Sequence, residues 1–281
     1  MAVIVVGGAE PEAGATTVAV GLAHRLAYAG HSVRIERLGG DDRATADAAL
    51  FATLDFATSS GEPLAADASL SGDGVTVVES ATGGDAAAIA QRAGGRALIV
   101  GPTAAAPAGV TVIANHATAA GLLALIEDRL LAAPTVGRLI EASNARVLAR
   151  STEGDADICE HIVVGPIFED SNEPHFERFA RKAVVTRSEK VDIALSALLT
   201  DVRCLILTGG NDPSAYLLDR VASDRNTTLL LAPGDTVETV HAIEGTFGST
   251  PFAGAEKIER VGELMAAAID DSTLASLLGG G

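Results

Sequence analysis

The sequence predicts an α/β protein in two parts, a doubly wound parallel sheet followed by a second, smaller α/β unit. Three observations predict it. Short apolar, β-rich runs alternate with stretches of helical spacing; the first run passes through a glycine-rich loop into a helix; and Ala132, Ala133 and Pro134 interrupt the pattern before a second series begins. Short strands alternating with helices imply right-handed crossovers and a parallel sheet covered on both faces. Proline restricts the residue before it and is tolerated in the first turn of a new helix, so Pro134 marks a boundary.

In the first part, strands are expected over residues 3–6, 33–35, 75–78, 97–100 and 110–114, with helices over 17–29 and 118–131. The second part reads as strands over 146–149, 162–164, 183–186, 204–208 and 228–231. Its helices are expected over 173–182, 191–198, 213–223, 236–243 and 256–269. The domains are therefore expected over 1–133 and 134–272, with 273–281 a flexible tail whose last three glycines are disordered. Ligands on open parallel sheets sit at the carboxyl ends of strands. Gly7 and Gly8, residues 79–84, Gly101 with Pro102, and Asn115 with His116 occupy that edge.

Composition narrows the functions. The 281 residues, 48% hydrophobic, can bury a substantial core. The net charge of −17 opposes binding to a phosphate backbone, which needs clustered Lys and Arg, so nucleic acid is not an expected partner. No run of 18 apolar residues escapes a charge or glycine, and the chain opens into a strand without a basic leader. A soluble, cytoplasmic protein without a membrane partner is expected. Three lysines, Lys182, Lys190 and Lys257, among abundant acids suggest either a salt-adapted, halophilic cytoplasm or an acidic protein of a GC-rich genome. Cys159 and Cys204 are isolated thiols, and the six histidines show no metal-ligand spacing.

The stretch from Gly7 to Leu22 reads as a phosphate loop that has lost its lysine. The signature G-x-x-x-x-G-K-[ST] cradles phosphate on backbone N–H groups, neutralises it with lysine and holds Mg²⁺ with a hydroxyl. Here Ala9 stands at the first glycine, Gly14 at the second, Ala15 at the lysine and Thr16 at the hydroxyl. The nucleotide-binding set is Gly8, Glu12, Ala13, Gly14, Ala15, Thr16, Thr17, Arg37 and Asn115. A helix N-terminus attracts anions without the lysine. Losing a charge-assisted bond of about 1.5–3 kcal/mol weakens binding roughly ten- to a hundredfold. Catalysis should suffer more, because that cation also stabilises the transition state. Arg25, Arg34 or Arg37 could replace it, with Arg37 best placed beyond the second strand. Glu10 and Glu12 repel an anion unless Mg²⁺ bridges them. Glu79 stands where such folds carry an acidic Mg²⁺ ligand, so Thr16 and Glu79 form the metal set. Asn115 could read a base edge or serve as a turn residue. The lesser alternative for the loop is a tight turn without a ligand. In the second part Thr186, Asp192, Thr208, Gly209 and Gly210 form a ligand or interface set that could face one cleft. The diglycine there either accepts an anion or turns the chain, and Asp192 could instead cap a helix.

Over these residues the first part resembles the dethiobiotin synthetase and cobyrinic acid a,c-diamide synthase group: the loop of residues 8–17, VTVVESATGG at 75–84 and GVTVIANHA at 109–117. The second part is similar to a DRTGG domain through TVGRLIEASNARVL at 135–148, IVVGPI from Ile162, AVVTRSEKVDIALSAL from Ala183 and CLILTGG from Cys204. The pairing resembles the N-terminal regulatory region of long phosphotransacetylases. Ala15 replaces the family lysine, Arg37 stands at another phosphate-contacting lysine, and Arg187, Ser188, Glu189 and Lys190 replace most of the signature before Asp192. With no acyltransferase domain in this chain, acetyl transfer is not expected. The resemblance implies a non-catalytic or weakly catalytic regulator that binds ATP or another nucleotide with Mg²⁺. It further implies a protein partner in acetyl-CoA metabolism and homodimerisation. The alternatives are an ATP- and Mg²⁺-dependent ligase, with Arg37 on the phosphate, and an interaction scaffold without a ligand.

Overall fold

The computed structural model describes residues 2–70, 72–101, 110–165 and 175–279. In chain order the elements are β1 (Ala2–Gly8), α1 (Ala15–Tyr28), β2 (Val33–Arg37), α2 (Ala44–Phe51), β3 (Val75–Glu79), α3 (Gly83–Ala93), β4 (Arg96–Val100), β5 (Val110–Ala117), β6 (Ala124–Ile126), α4 (Arg129–Ala132), α5 (Val136–Ser143), β7 (Arg146–Ala149), β8 (His161–Val164), β9 (Lys182–Arg187), α6 (Val191–Ala197), β10 (Val202–Thr208), α7 (Ala215–Asp224), β11 (Thr228–Leu231), α8 (Thr236–Glu244), α9 (Ala255–Ala268) and α10 (Asp271–Leu277). They form two compact units: residues 1–128 with 255–281, and residues 129–254.

The first unit holds a parallel sheet in the order β2-β3-β1-β4-β5-β6. The chain leaves β1 past β3 to reach β2, and leaves β3 past β1 to reach β4. Right-handed crossovers in opposite directions put α1 and α3 on opposite faces, which makes the sheet doubly wound. Val3, Val5 and Val78 pack beneath Ala86, Ile89 and Ala90 of α3. The alternate positions Ile4, Val6, Ile35 and Val77 are fully buried as well, as a sheet covered on both faces requires. Between β1 and β3 the connections diverge, and the carboxyl ends of those strands form the switch point.

Helix α1 is buried almost all round, from Val18 through Leu22 to Leu26. A helix apolar on every side needs a second cover, and α9 supplies it. Gly21 faces Val261 and Met265, Gly262 faces the His24 ring, and Arg25 reaches the Ile269 carbonyl at 3.1 Å and Asp271 at 2.5 Å. Residues 255–272 thus belong with the first unit, not with the expected 134–272 domain. Residues 273–277, expected to be tail, lie in α10, whose N-cap Asp270 accepts from Thr273 N. Of the glycines expected to be disordered, Gly280 and Gly281 lie outside the described residues. The helix expected over 118–131 is also replaced. Ala114 N donates to the Leu123 carbonyl across a turn in which Leu123 has φ 56°, so the chain folds back as β6 beside β5 before the single turn of α4.

The second unit carries a sheet in the order β7-β11-β10-β9-β8, parallel except for β7. Leu205, Leu207 and Val184 face α6 and α7, whereas Cys204, Ile206, Ala183 and Val185 face α5 and α8. The helix expected over 173–182 is instead a 3₁₀ turn at Phe176–Arg178 leading into β9; residues 173 and 174 lie outside the described set. Phe176 enters the core, and Lys182 is buried with its ammonium on the Phe179 and Asp201 carbonyls, both at 2.9 Å.

The close approach of α1 and α9 depends on glycine. Gly262→Val should lower stability by roughly 1–3 kcal/mol, because the new side chain must displace the His24 ring. A thermal melt checks this, and an unchanged melting temperature would show that the two helices are not in close contact.

Candidate functional site

At the switch point, Val6 of β1, Glu79 of β3 and Arg37 of β2 lie abreast in register. Gly7 ends β1 beneath the next loop: a Cβ there would lie 2.6 Å from the Thr82 carbonyl oxygen and 2.7 Å from Ser80 Oγ. A Cβ on Gly8 would stand 2.9 Å from the Glu10 carbonyl oxygen. Gly14 caps α1 with φ 90°, a left-handed conformation that glycine adopts without cost. Its carbonyl accepts the first helical bond from Val18 N at 3.0 Å, and no side chain caps this end. The N–H groups of Ala15, Thr16 and Thr17 therefore begin a helix that has no acidic residue in its first turn.

Thr16 Oγ1 donates to Glu79 Oε1 at 2.8 Å. The other oxygen, Oε2, is buried, accepts no hydrogen bond among the described residues and lies 3.7 Å from Arg37 Nε. Burial pushes the Glu79 carboxyl up to about 8; Arg37 and the Thr16 hydroxyl oppose that rise, and Asp47 adds to it. Arg37 is only 3% exposed and donates to the Leu38 carbonyl at 2.6 Å, Asp41 at 2.5 Å and Asp47 at 3.3 Å. Burial acts to lower its pKa, but the carboxylates of Glu79, Asp41 and Asp47 outweigh it and hold it above its usual value. Burial raises Asp47 despite Arg37, whereas Arg37 and the Arg43 and Ala44 amides hold Asp41 low against its burial. One guanidinium thus serves three carboxylates, Asp41, Asp47 and Glu79, and the last of them is relieved by a proton.

None of the cations expected to replace the loop lysine is available. Arg25 is bound at the Ile269 carbonyl and Asp271, Arg34 at the buried Glu36, and Arg37 within the acidic cluster. The cation that does reach the loop is one the sequence reading missed, Arg43, whose Nη2 lies 2.9 Å from Glu12 Oε1. Glu12 has φ 65° and turns outward to meet it. Asp41 and Asp47 were missed too; an acid-rich stretch following the second strand was their only signal. Asn115 Nδ2 donates to the Ala13 carbonyl at 2.9 Å, which ties the amide nitrogen of this strand-end residue to the loop.

The second set does not share a cleft. Leu207 pairs with Thr186, so Thr208 lies one residue further on and turns to the opposite face. Thr186 lies near Ile193 of α6, both within about 3 Å of where a Gly165 Cβ would be; Thr208 Oγ1 meets Thr236 Oγ1 of α8 at 2.8 Å. Gly209 and Gly210 have φ 89° and 69°, and Gly209 N donates to the Gly234 carbonyl, so the diglycine turns the chain. Asp192 is exposed in the first turn of α6 and caps nothing. Nearby, Ser188 Oγ is buried without a hydrogen-bond partner among the described residues.

Two cavities lie at the amino-terminal strand edges: one of about 320 Å³ in the second unit beside Val202 and Thr227, the other of about 290 Å³ in the first beside Val3. Neither is lined by an expected site residue. Among the described residues no cluster of three or more His, Cys, Asp or Glu is arranged to hold a metal, and no helix is long and apolar enough to cross a membrane.

The fold and the site together describe a two-unit α/β protein. Residues 138–246, within the second unit, match the DRTGG domain. Among solved structures, the chain is similar to the CBS and DRTGG domains of the regulatory region of Clostridium perfringens pyrophosphatase, a structure in complex with the activator diadenosine tetraphosphate. The identity is 16% and the TM-score 0.37, over 53% of this chain and 70% of that one.

The raised pKa of Glu79 has a sign that can be measured. Between about pH 4.5 and 8 the folded protein keeps a proton that the unfolded chain has released, so this group's contribution to stability falls as pH rises through that window. Glu79→Gln should flatten the decline and gain on the wild type at pH 8.5 relative to pH 5 in urea unfolding. Identical pH slopes for the two proteins would refute the buried, protonated carboxyl.

Proposed function

We propose that the protein is a non-catalytic or weakly catalytic regulator that binds a nucleotide or related phosphate ligand, with Mg²⁺, at the β1–α1 loop. The observation that carries this reading is the buried Glu79 Oε2, left without a hydrogen bond beside the Thr16 hydroxyl and an uncapped helix N-terminus. Mg²⁺ keeps several waters and takes one or two protein oxygens besides phosphate, so Thr16 and Glu79 are a sufficient donor set. The ion would supply the positive charge that Ala15 does not, and phosphate oxygens would lie on the N–H groups of residues 14–17. Arg37 acts from behind, fixing Glu79 rather than contacting phosphate. With no side-chain cation on the transferring group, turnover is expected to be slow. The ligase alternative requires a free guanidinium from Arg37, and the engagement of that group with Asp41, Asp47 and Leu38 speaks against it.

The DRTGG match supports a regulatory second unit. On the sequence resemblance of the two parts to the regulatory region of long phosphotransacetylases, we further propose a cytoplasmic role in acetyl-CoA metabolism, exerted on a protein partner by a homodimer.

Binding is tested by calorimetry with ATP, with and without Mg²⁺. Mg²⁺-dependent binding is expected to strengthen from pH 6.5 to 8.5 as Glu79 loses its proton. Thr16→Ala and Glu79→Gln should abolish the Mg²⁺ dependence, and Ala15→Lys should tighten binding roughly ten- to a hundredfold. Robust ATP hydrolysis by the wild type, or no binding of any nucleotide, would overturn the proposal.

A further inference from the structure

The clasp between Asn115 and the loop follows from an irregularity in β5. Its pairing with β6 shifts register between Ala114 and Ala117, and His116 within that interval has φ 55°. A bulge of this kind re-aims a side chain at the end of a strand. Asn115 is the residue re-aimed, and its Nδ2 reaches the carbonyl of Ala13, 102 positions earlier in the chain. The loop has adapted to it: a Cβ on Gly14 would collide with Asn115 Nδ2, so the absent side chain at 14 is the space the amide occupies. The loop is also tethered by Ala9 N to the Val100 carbonyl at 2.8 Å, by Ala13 N to the Glu10 carbonyl at 3.3 Å, and by the exposed pair of Arg43 Nη2 with Glu12 Oε1 at 2.9 Å; none of these reaches the Ala13 carbonyl.

A lysine at position 15 would bring a donor-rich head group over the loop, free to bond its carbonyls as well as a phosphate. With alanine there, a donor for the Ala13 carbonyl must come from elsewhere. We propose that Asn115 is the positioning residue of the loop: its amide holds the Ala13–Gly14 segment in shape, so that the N–H groups of residues 14–17 converge, while the amide itself contacts no ligand. The affinity part of this inference rests on the function proposed above; the loop-holding part does not. A residue that orders donors in advance removes part of the entropy cost of binding.

The test uses the full chain with Asn115→Ala and with Asn115→Asp, which keeps the shape and replaces the donor by a carboxylate facing a carbonyl. Hydrogen exchange of the peptide spanning residues 9–17 is read without ligand; both variants should exchange roughly tenfold faster there, with peptides of the second unit unchanged. Calorimetry with Mg²⁺ and either ATP or inorganic tripolyphosphate should then show both probes weakened by the same factor, roughly three- to tenfold. Loop exchange equal to that of the wild type overturns the inference. Weakening of ATP with tripolyphosphate unaffected also overturns it, in favour of an amide that reads the base. If the wild type binds neither probe, the proposed function fails and the loop-holding part is decided by exchange alone.

Discussion

A carboxylate taken out of water in the middle of a sheet is the constraint on which the first unit turns. Glu79 ends the strand between β1 and β2, at a position where both neighbours and both faces are occupied. Burying such a charge costs several kcal/mol even after relaxation, and attraction offsets this only where the geometry is good and the lone pairs are satisfied. Here the geometry is half satisfied. One oxygen has the Thr16 hydroxyl; the other has only a guanidinium at 3.7 Å that makes its hydrogen bonds elsewhere. The remaining relief is a proton, and burial accordingly pushes this carboxyl up to about 8.

The same constraint explains the placement of Arg37. A free arginine beside the loop would be a phosphate ligand, but one buried among Asp41, Asp47 and Glu79 cannot leave without stranding two or three carboxylates. Removing it would therefore damage the fold before it informed on binding. A divalent cation at Glu79 does not face this conflict, because it adds positive charge where the cluster lacks it.

The strands were legible in the sequence because each is a short, nearly continuous apolar run, the pattern of a sheet buried on both faces. The errors have separate physical causes. Residues 118–131 are rich in alanine and leucine, but the chain turns at residues 121–124, where Leu123 is left-handed and Ala124 N donates to the Gly121 carbonyl, and continues as β6 beside β5. Residues 44–51 and 83–93 form helices between the strands, where helical stretches are expected without bounds, since such alanine-rich stretches carry little periodicity to set them. The C-terminal helices were given to the wrong unit because the contacts that hold α9 lie on α1, more than 200 residues away, and no local signal reports that. In the site, Thr16 and Glu79 were read as a pair from position alone, and they touch. Thr186, Asp192 and Thr208 are a set that could face one cleft by position, but the register separates the two threonine side chains: Thr208 lies one residue beyond the partner of Thr186, on the other face, and its Oγ1 reaches the Thr186 backbone carbonyl at 3.3 Å.

That difference separates the two carboxyl edges energetically. In the second unit Thr208 is satisfied by Thr236, and the Gly209 amide by Gly234; the exception is the neutral Ser188 hydroxyl. An unpaired neutral group costs about 1–3 kcal/mol, the size of an ordinary packing defect. In the first unit the unsatisfied atom belongs to a carboxyl group whose ionised form is strongly penalised by its surroundings. A ligand gains most where the protein has left most unpaid, and a cation at Glu79 would recover the larger debt. The loop above it is built from backbone N–H groups, a left-handed glycine and a helix end, none of which depends on a side chain at position 15. Alanine at position 15 therefore leaves the loop without a side-chain cation but does not alter its shape.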